Sequence, residues 1–214
     1  MEDSQTRVPV KSLTLFVAAL CCGCSSYGLF GTARVLQPGK FQPYVAPQIS
    51  GAVSPKGAAV LPQFELGARY GVADGWDLGA RFWYAGAAFE ARRQLLLSTG
   101  RWRPDLSLLG QLSFSAPNTG GVQVAFLIGL PLHDRVQLVI APRIVYEMWL
   151  RPNPARRPLM AMLLGTSVGV AFTLHQRLTL IPEATLVFPA AIESGLAVPA
   201  GQGASLQAGV AVLF

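Results

Sequence analysis

From residue 40 to its end, the chain places apolar residues at every second position, and this period is what most narrows its fold. A period of two sends alternate side chains to opposite faces of a strand, whereas a helix repeats its apolar positions three and four apart. The clearest unit runs from Phe64 to Tyr84. Phe64, Leu66, Ala68, Tyr70 and Val72 share one face; Glu65, Gly67, Arg69 and Gly71 share the other. Ala73-Asp74-Gly75 reads as a tight turn, and Trp76, Leu78, Ala80, Phe82 and Tyr84 resume the apolar face. The two arms nearly repeat, as Leu66-Gly67-Ala68-Arg69-Tyr70 and Leu78-Gly79-Ala80-Arg81-Phe82. Two similar turns, Leu132-His133-Asp134-Arg135 and Leu174-His175-Gln176-Arg177, each introduce a further alternating run. The pattern predicts ten strands, at 40–51, 61–72, 76–86, 88–98, 105–116, 121–131, 136–147, 161–173, 177–188 and 204–214.

Composition bears on the rivals. The chain is 51% hydrophobic and only 13% charged, too apolar for disorder. Its net charge of +6 is spread thinly; only Arg92-Arg93 and Arg156-Arg157 pair up, so no nucleic-acid partner is expected. A helical membrane bundle would need uninterrupted apolar spans. Residues 158–174 could supply one, but 107–123 carries Ser107, Gln111, Ser113, Ser115, Pro117, Asn118, Thr119 and Gln123, a poor lipid-facing helix. Prolines at 43, 47, 62, 142 and 182 each remove a ladder donor from a strand, and two of them make the first strand the least regular. Arg93 is a second discord, because strict alternation points it at lipid unless it reaches toward the short-turn side.

A half-apolar alternating sheet suits a soluble sandwich as well as a membrane barrel, and three features favour the barrel. Connections near 74, 101, 133 and 175 read as tight, and those near 55, 118, 153 and 196 as mostly longer, the asymmetry of outer-membrane barrels. Aromatics on the apolar face gather toward the strand ends: Tyr70, Trp76, Phe172 and Phe214 at one rim; Phe64, Tyr84, Phe89, Phe114, Tyr146 and Phe188 at the other. The last strand alternates Leu206, Ala208, Val210, Val212 and Phe214. Ending in Phe214, it resembles the carboxy-terminal insertion signal of bacterial outer-membrane barrels. Residues 40–214 thus resemble the small outer-membrane β-barrel proteins of Gram-negative cell envelopes. The resemblance implies an all-β, closed, antiparallel up-and-down transmembrane β-barrel of about ten strands, with eight or twelve as alternatives. It also implies outer-membrane lipids and the barrel-assembly machinery as partners.

The three cysteines all fall at 21, 22 and 24, leaving no disulfide framework in the body. Arg7 and Lys11 precede an eight-residue apolar run, Leu13–Leu20, too short to span a bilayer and ordered like a secretory signal. The small residues before Cys24 resemble a bacterial lipoprotein lipobox, which implies a signal peptide over 1–23 and lipid attachment at Cys24, with Cys22 a competing site. Residues 24–39 then read as a lipidated tether, and 40–214 as the barrel.

The polar face carries the chemistry. Counted from the short turns, Arg69, Arg81, Arg92 and Arg143 lie near one level with Glu65, Glu90 and Glu183. This predicts a charge belt across the lumen, either packed shut by pairing or left open as a constriction for a small anion. Ten strands leave little free bore. Nothing assembles a catalytic set: His133 and His175 lie in short turns, Glu147 and Glu193 read as lone residues of outer loops, and no phosphate loop is present. No metal or cofactor is expected. The loop from Met148 to Leu159 holds Arg151, Arg156 and Arg157 and could lean on lipopolysaccharide. The reading is a non-enzymatic outer-membrane barrel lipoprotein with a structural or binding role and a lumen largely plugged by charged side chains. The alternatives are a narrow porin or transporter for small or hydrophobic solutes, and a lipid-modifying enzyme.

Overall fold

The computed structural model describes residues 26–54, 57–97, 103–116, 118–150, 158–175, 177–193 and 204–214. The signal segment, Cys22, Cys24 and the arginines of the 151–157 loop lie outside them. Ten strands form: β1 Phe41–Ser54, β2 Gly57–Ala73, β3 Trp76–Trp83, β4 Gly86–Leu96, β5 Asp105–Ser115, β6 Thr119–His133, β7 Val136–Trp149, β8 Leu159–His175, β9 Leu178–Glu193 and β10 Ser205–Leu213. Each pairs antiparallel with its sequence neighbours, and β1 pairs with β10, closing the barrel. Closure removes every free sheet edge. The register of the β2–β3 hairpin sets Leu66 opposite Phe82 and Arg69 opposite Gly79, so the repeated arms keep their apolar and polar sets on separate faces.

Prolines are absorbed within strands. Pro43 and Pro47 lie in β1, and the β1–β10 ladder passes from Val45–Val212 to Gln48–Gly209, skipping the Pro47 position. The carbonyl of Pro43 instead accepts the Phe214 amide at 3.0 Å, which ties the carboxy-terminal residue to the first strand. Arg93 does face outward, but it sits opposite Trp76 at the short-turn rim with its guanidinium 5.0 Å from the indole centroid. The cation thus lies over an aromatic face at the rim instead of amid the apolar outer side chains.

The loop asymmetry is narrower than the sequence suggests. The turns at 74–75 and 134–135 are tight and β9 begins three residues after β8 ends, but eight residues, 97–104, separate β4 from β5. At the opposite rim only the connections after β7 and β9 are long; β3 turns into β4 through residues 84–85. Ala85-Gly86-Ala87-Ala88 are all small, so the alternation runs through this bend without a turn signal. β2, β8 and β9, at 17, 17 and 16 residues, exceed the ~9–11 that a tilted membrane strand needs.

The largest departure from expectation lies before β1. Residues 26–39 are not a tether outside the barrel. They run through its lumen as an extended, non-helical segment, from Ser26 deep inside to Gln37–Gly39 at the short-turn rim. There the Gly39 amide donates to the Gly71 carbonyl at 2.8 Å, and the Gly71 amide to the Lys40 carbonyl at 2.9 Å. The apolar core is built around this segment. Phe30 packs with Tyr44, Ala46, Ala171, Ile181, Ala211 and Leu213. Leu29 and Ala33 pack with Leu109, Ala125, Leu127 and Ala141. Each fully buried Leu or Phe stabilises by roughly 1.5–3 kcal/mol, so Leu29 and Phe30 alone favour the threaded state substantially.

Candidate functional site

The candidate site is the lumen with its internal segment. Burying a backbone in a closed space requires partners for its N–H and C=O groups, and no strand ladder is free to supply them. Lumen side chains do so instead, with donors and acceptors sorted by type. Arginines take the carbonyls: Arg81 Nη2 donates to the Ser26 carbonyl at 3.1 Å and its Nη1 donates to that of Gly28. Arg143 Nη1 donates to the Tyr27 carbonyl, and Arg92 reaches the Leu29 and Thr32 carbonyls at 3.4 Å each. Side-chain oxygens take the amides. Gln207 Oε1 accepts from Tyr27 N at 2.8 Å and Gly28 N at 3.0 Å. Gln94 accepts from Val35 N at 2.9 Å, and Asp77 from Leu36 N at 3.0 Å.

Glu183 makes the most specific contact. Its Oε1 accepts from Leu29 N at 2.8 Å and its Oε2 from Phe30 N at 2.9 Å. Phe30 has φ of +32°, the one described non-glycine residue with positive φ. A bulky side chain there is strained, and two successive N–H groups converging on one carboxylate form an anion nest. The nest and the packed Phe30 ring hold the strained turn in place.

All seven residues expected in the belt lie inside the barrel and are buried: Glu65, Arg69, Arg81, Glu90, Arg92, Arg143 and Glu183. Their partners differ from a simple mutual pairing. Arg81 meets Glu65 at 3.5 Å and Arg92 meets Glu90 at 3.0 Å. Arg69 pairs with Asp77, a residue outside the expected set, while Arg143 and Glu183 grip the segment's backbone. Glu65 further accepts the hydroxyls of Ser26 at 2.6 Å and Tyr44 at 2.8 Å.

Sequence reasoning missed Asp77, Asp105, Gln94 and Gln207 as lumen ligands. Asp105 binds Arg34 at 2.7 Å and Gln137 at 2.8 Å. Asp77 and Asp105 stand at strand starts, where an acidic residue reads as part of a turn. Glu147 is not a loop residue: β7 extends to Trp149, so the lumen face continues through Arg143, Val145 and Glu147, and Glu147 accepts the Tyr27 hydroxyl at 2.6 Å. Glu193 ends β9. His133 and His175 close β6 and β8 at the short-turn rim and are exposed. Among the described residues no cluster of histidine, cysteine and carboxylates could hold a metal ion.

No family model and no curated protein matches this chain. Solved structures do match it in fold. Neisserial surface protein A is similar at 11% identity, covering 81% of this chain and 95% of that one, with a TM-score of 0.44. The translocator domain of the autotransporter NalP from Neisseria meningitidis is similar at 10% identity over 96% of this chain and 94% of that one, with a TM-score of 0.46. The outer membrane protein OprG from Pseudomonas aeruginosa is similar at 9% identity over 86% and 99%, with a TM-score of 0.37.

Proposed function

We propose that this chain is a non-enzymatic bacterial outer-membrane barrel with a structural or binding role, its lumen closed by charged side chains and by its own amino-terminal segment. The observation that carries the closure is the burial of Ser26, Gly28, Leu29, Phe30, Gly31 and Ala33 inside the barrel wall. Membrane residence is supported by the outer face. Phe64, Leu66, Tyr70, Leu78, Phe82, Tyr84, Phe114, Phe126, Ile144 and Leu206 are among many large apolar side chains that point away from the lumen and stand 47–64% exposed. A belt of this size is covered by lipid rather than water. Lipids, the assembly machinery and, at the basic loop, lipopolysaccharide are the partners this reading implies. The purified protein in planar bilayers is expected to show no steady ion conductance. A large, stable wild-type conductance would mean an open lumen, and the porin alternative would take its place.

The same proposal includes a lipid anchor at Cys24. Palmitate incorporation should be abolished by Cys24→Ala. Label that persists in that variant but vanishes in Cys22→Ala would move the anchor to Cys22; label indifferent to both would remove it, with the barrel unaffected.

A further inference from the structure

We infer that the lumen is a receptor for an extended polypeptide, filled in cis by residues 26–36 and able to take a matching segment from another chain. The inference rests on the closed-lumen reading and goes beyond it: closure needs only that something fill the bore, whereas this lumen is organised to recognise a peptide backbone.

Three observations carry it. First, the contacts are sorted as a peptide requires. Arg81, Arg92 and Arg143 engage carbonyl oxygens, and Gln207, Glu183, Gln94 and Asp77 engage amides. A bore merely filled by charges has no reason to alternate along another chain in this way. Second, the lumen reads a short pattern. A Cβ added at Gly31 would meet the flexible end of Arg92, whose guanidinium could move aside only by giving up its bonds to the flanking Leu29 and Thr32 carbonyls and to Glu90. Ala33 meets the wall so closely that a Cβ on Gly129 would lie 2.7 Å from its methyl. Phe30 fits over Gly209, where a Cβ would lie 2.9 Å from the ring. The required occupant is therefore Gly-apolar-aromatic-Gly-x-Ala, extended except for a turn at the aromatic, with small residues set by their neighbours in the bore and one aromatic set by a pocket. Third, the resident segment does not use all that the lumen offers. Among the described residues, Arg143 Nε and Nη2, Gln123 Nε2 and Ser107 Oγ are buried without a hydrogen-bond partner, and Phe30 is held at positive φ. An occupant that leaves donors unused and carries backbone strain is one that a second peptide can replace. The short, exposed link Gln37–Lys40 joins the segment to β1, so a neighbouring barrel's segment could not reach across while attached; the exchanging ligand is a free or long-tethered extended chain.

The test uses the full-length folded protein with a specific protease site inserted between Pro38 and Gly39, both exposed. Cleavage after folding leaves the wall intact, which SDS-resistant migration checks, and turns the segment into a separable ligand. A fluorescent peptide of residues 26–36 should then bind the cleaved barrel rapidly and saturably, and the uncleaved barrel only slowly and at least tenfold more weakly, because there it must displace the attached segment. Val35→Ala in the peptide should leave affinity within about threefold, because Val35 is held through its amide. Gly31→Val and Phe30→Ala should each weaken binding at least tenfold. The inference is overturned if the cleaved barrel keeps its segment and takes up no peptide, or if the Gly31→Val peptide binds as well as the native sequence. Either result leaves the non-conducting barrel standing, since the conductance of the uncleaved protein is measured separately.

Discussion

Arg81→Ala is expected to lower sharply the temperature at which the barrel loses its SDS-resistant mobility. Arg81 is 1% exposed and serves four partners: the Ser26 and Gly28 carbonyls, Gln111 Oε1 at 2.7 Å and the Glu65 carboxylate at 3.5 Å. Its guanidinium also lies 5.9 Å from the Trp83 ring centroid. Truncation strands the fully buried Glu65 with only hydroxyl donors and leaves two segment carbonyls without theirs. Removing one partner of a buried ion pair costs about 3–5 kcal/mol. Arg81→Lys should recover only part of the loss, because an ammonium cannot span carbonyls and carboxylate with a fixed fork. An unchanged heat transition in Arg81→Ala would show that this cluster does not stabilise the fold.

Much of the wall is legible in the periodicity alone. The alternation of Phe64–Val72 and Trp76–Tyr84 locates a hairpin because each side chain has one of two environments, the outer face or the lumen, and a shift of one residue would exchange them. The strand ends are less legible. β7 and β9 run on to Trp149 and Glu193, past the expected 147 and 188; Glu147, at the expected end of its strand, carries no local sign that it faces the lumen rather than an outer loop. The plug is not legible as one. Ser26, Gly28, Gly31 and Ala33 look like a linker since small residues suit one, yet Gly31 passes the Arg92 guanidinium, Gly28 lies under the Phe30 ring and Ala33 lies against Gly129 of the wall. Only the Leu29-Phe30 pair, too apolar for a solvated tether, hints at burial. The lumen arginines are visible as a belt, but whether they pair with glutamates or with a backbone depends on what shares the bore, which strand periodicity does not encode.

Glu183→Ala is expected to open the lumen while leaving the wall folded. The wild-type carboxylate holds Leu29 N and Phe30 N together and receives the Thr185 hydroxyl at 3.1 Å. Its loss leaves two buried amides without an acceptor, at about 1–3 kcal/mol each. It also removes what opposes the strain at Phe30, of order 1–3 kcal/mol for a residue in a disfavoured backbone region. These costs fall on the threaded segment. The ladders of β9 to β8 and β10 run through backbone groups at this position and do not need the side chain. The variant should therefore keep SDS resistance close to wild type but show discrete conductance steps in planar bilayers as the segment leaves and returns. Glu183→Gln, which keeps one carbonyl oxygen as acceptor, should open less often. Arg81→Ala and Glu183→Ala thus separate two properties, since the first mainly weakens the fold and the second mainly frees the segment. If Glu183→Ala stays silent in bilayers while its heat resistance collapses, Glu183 supports the wall, and the segment is fixed in place by its apolar packing alone.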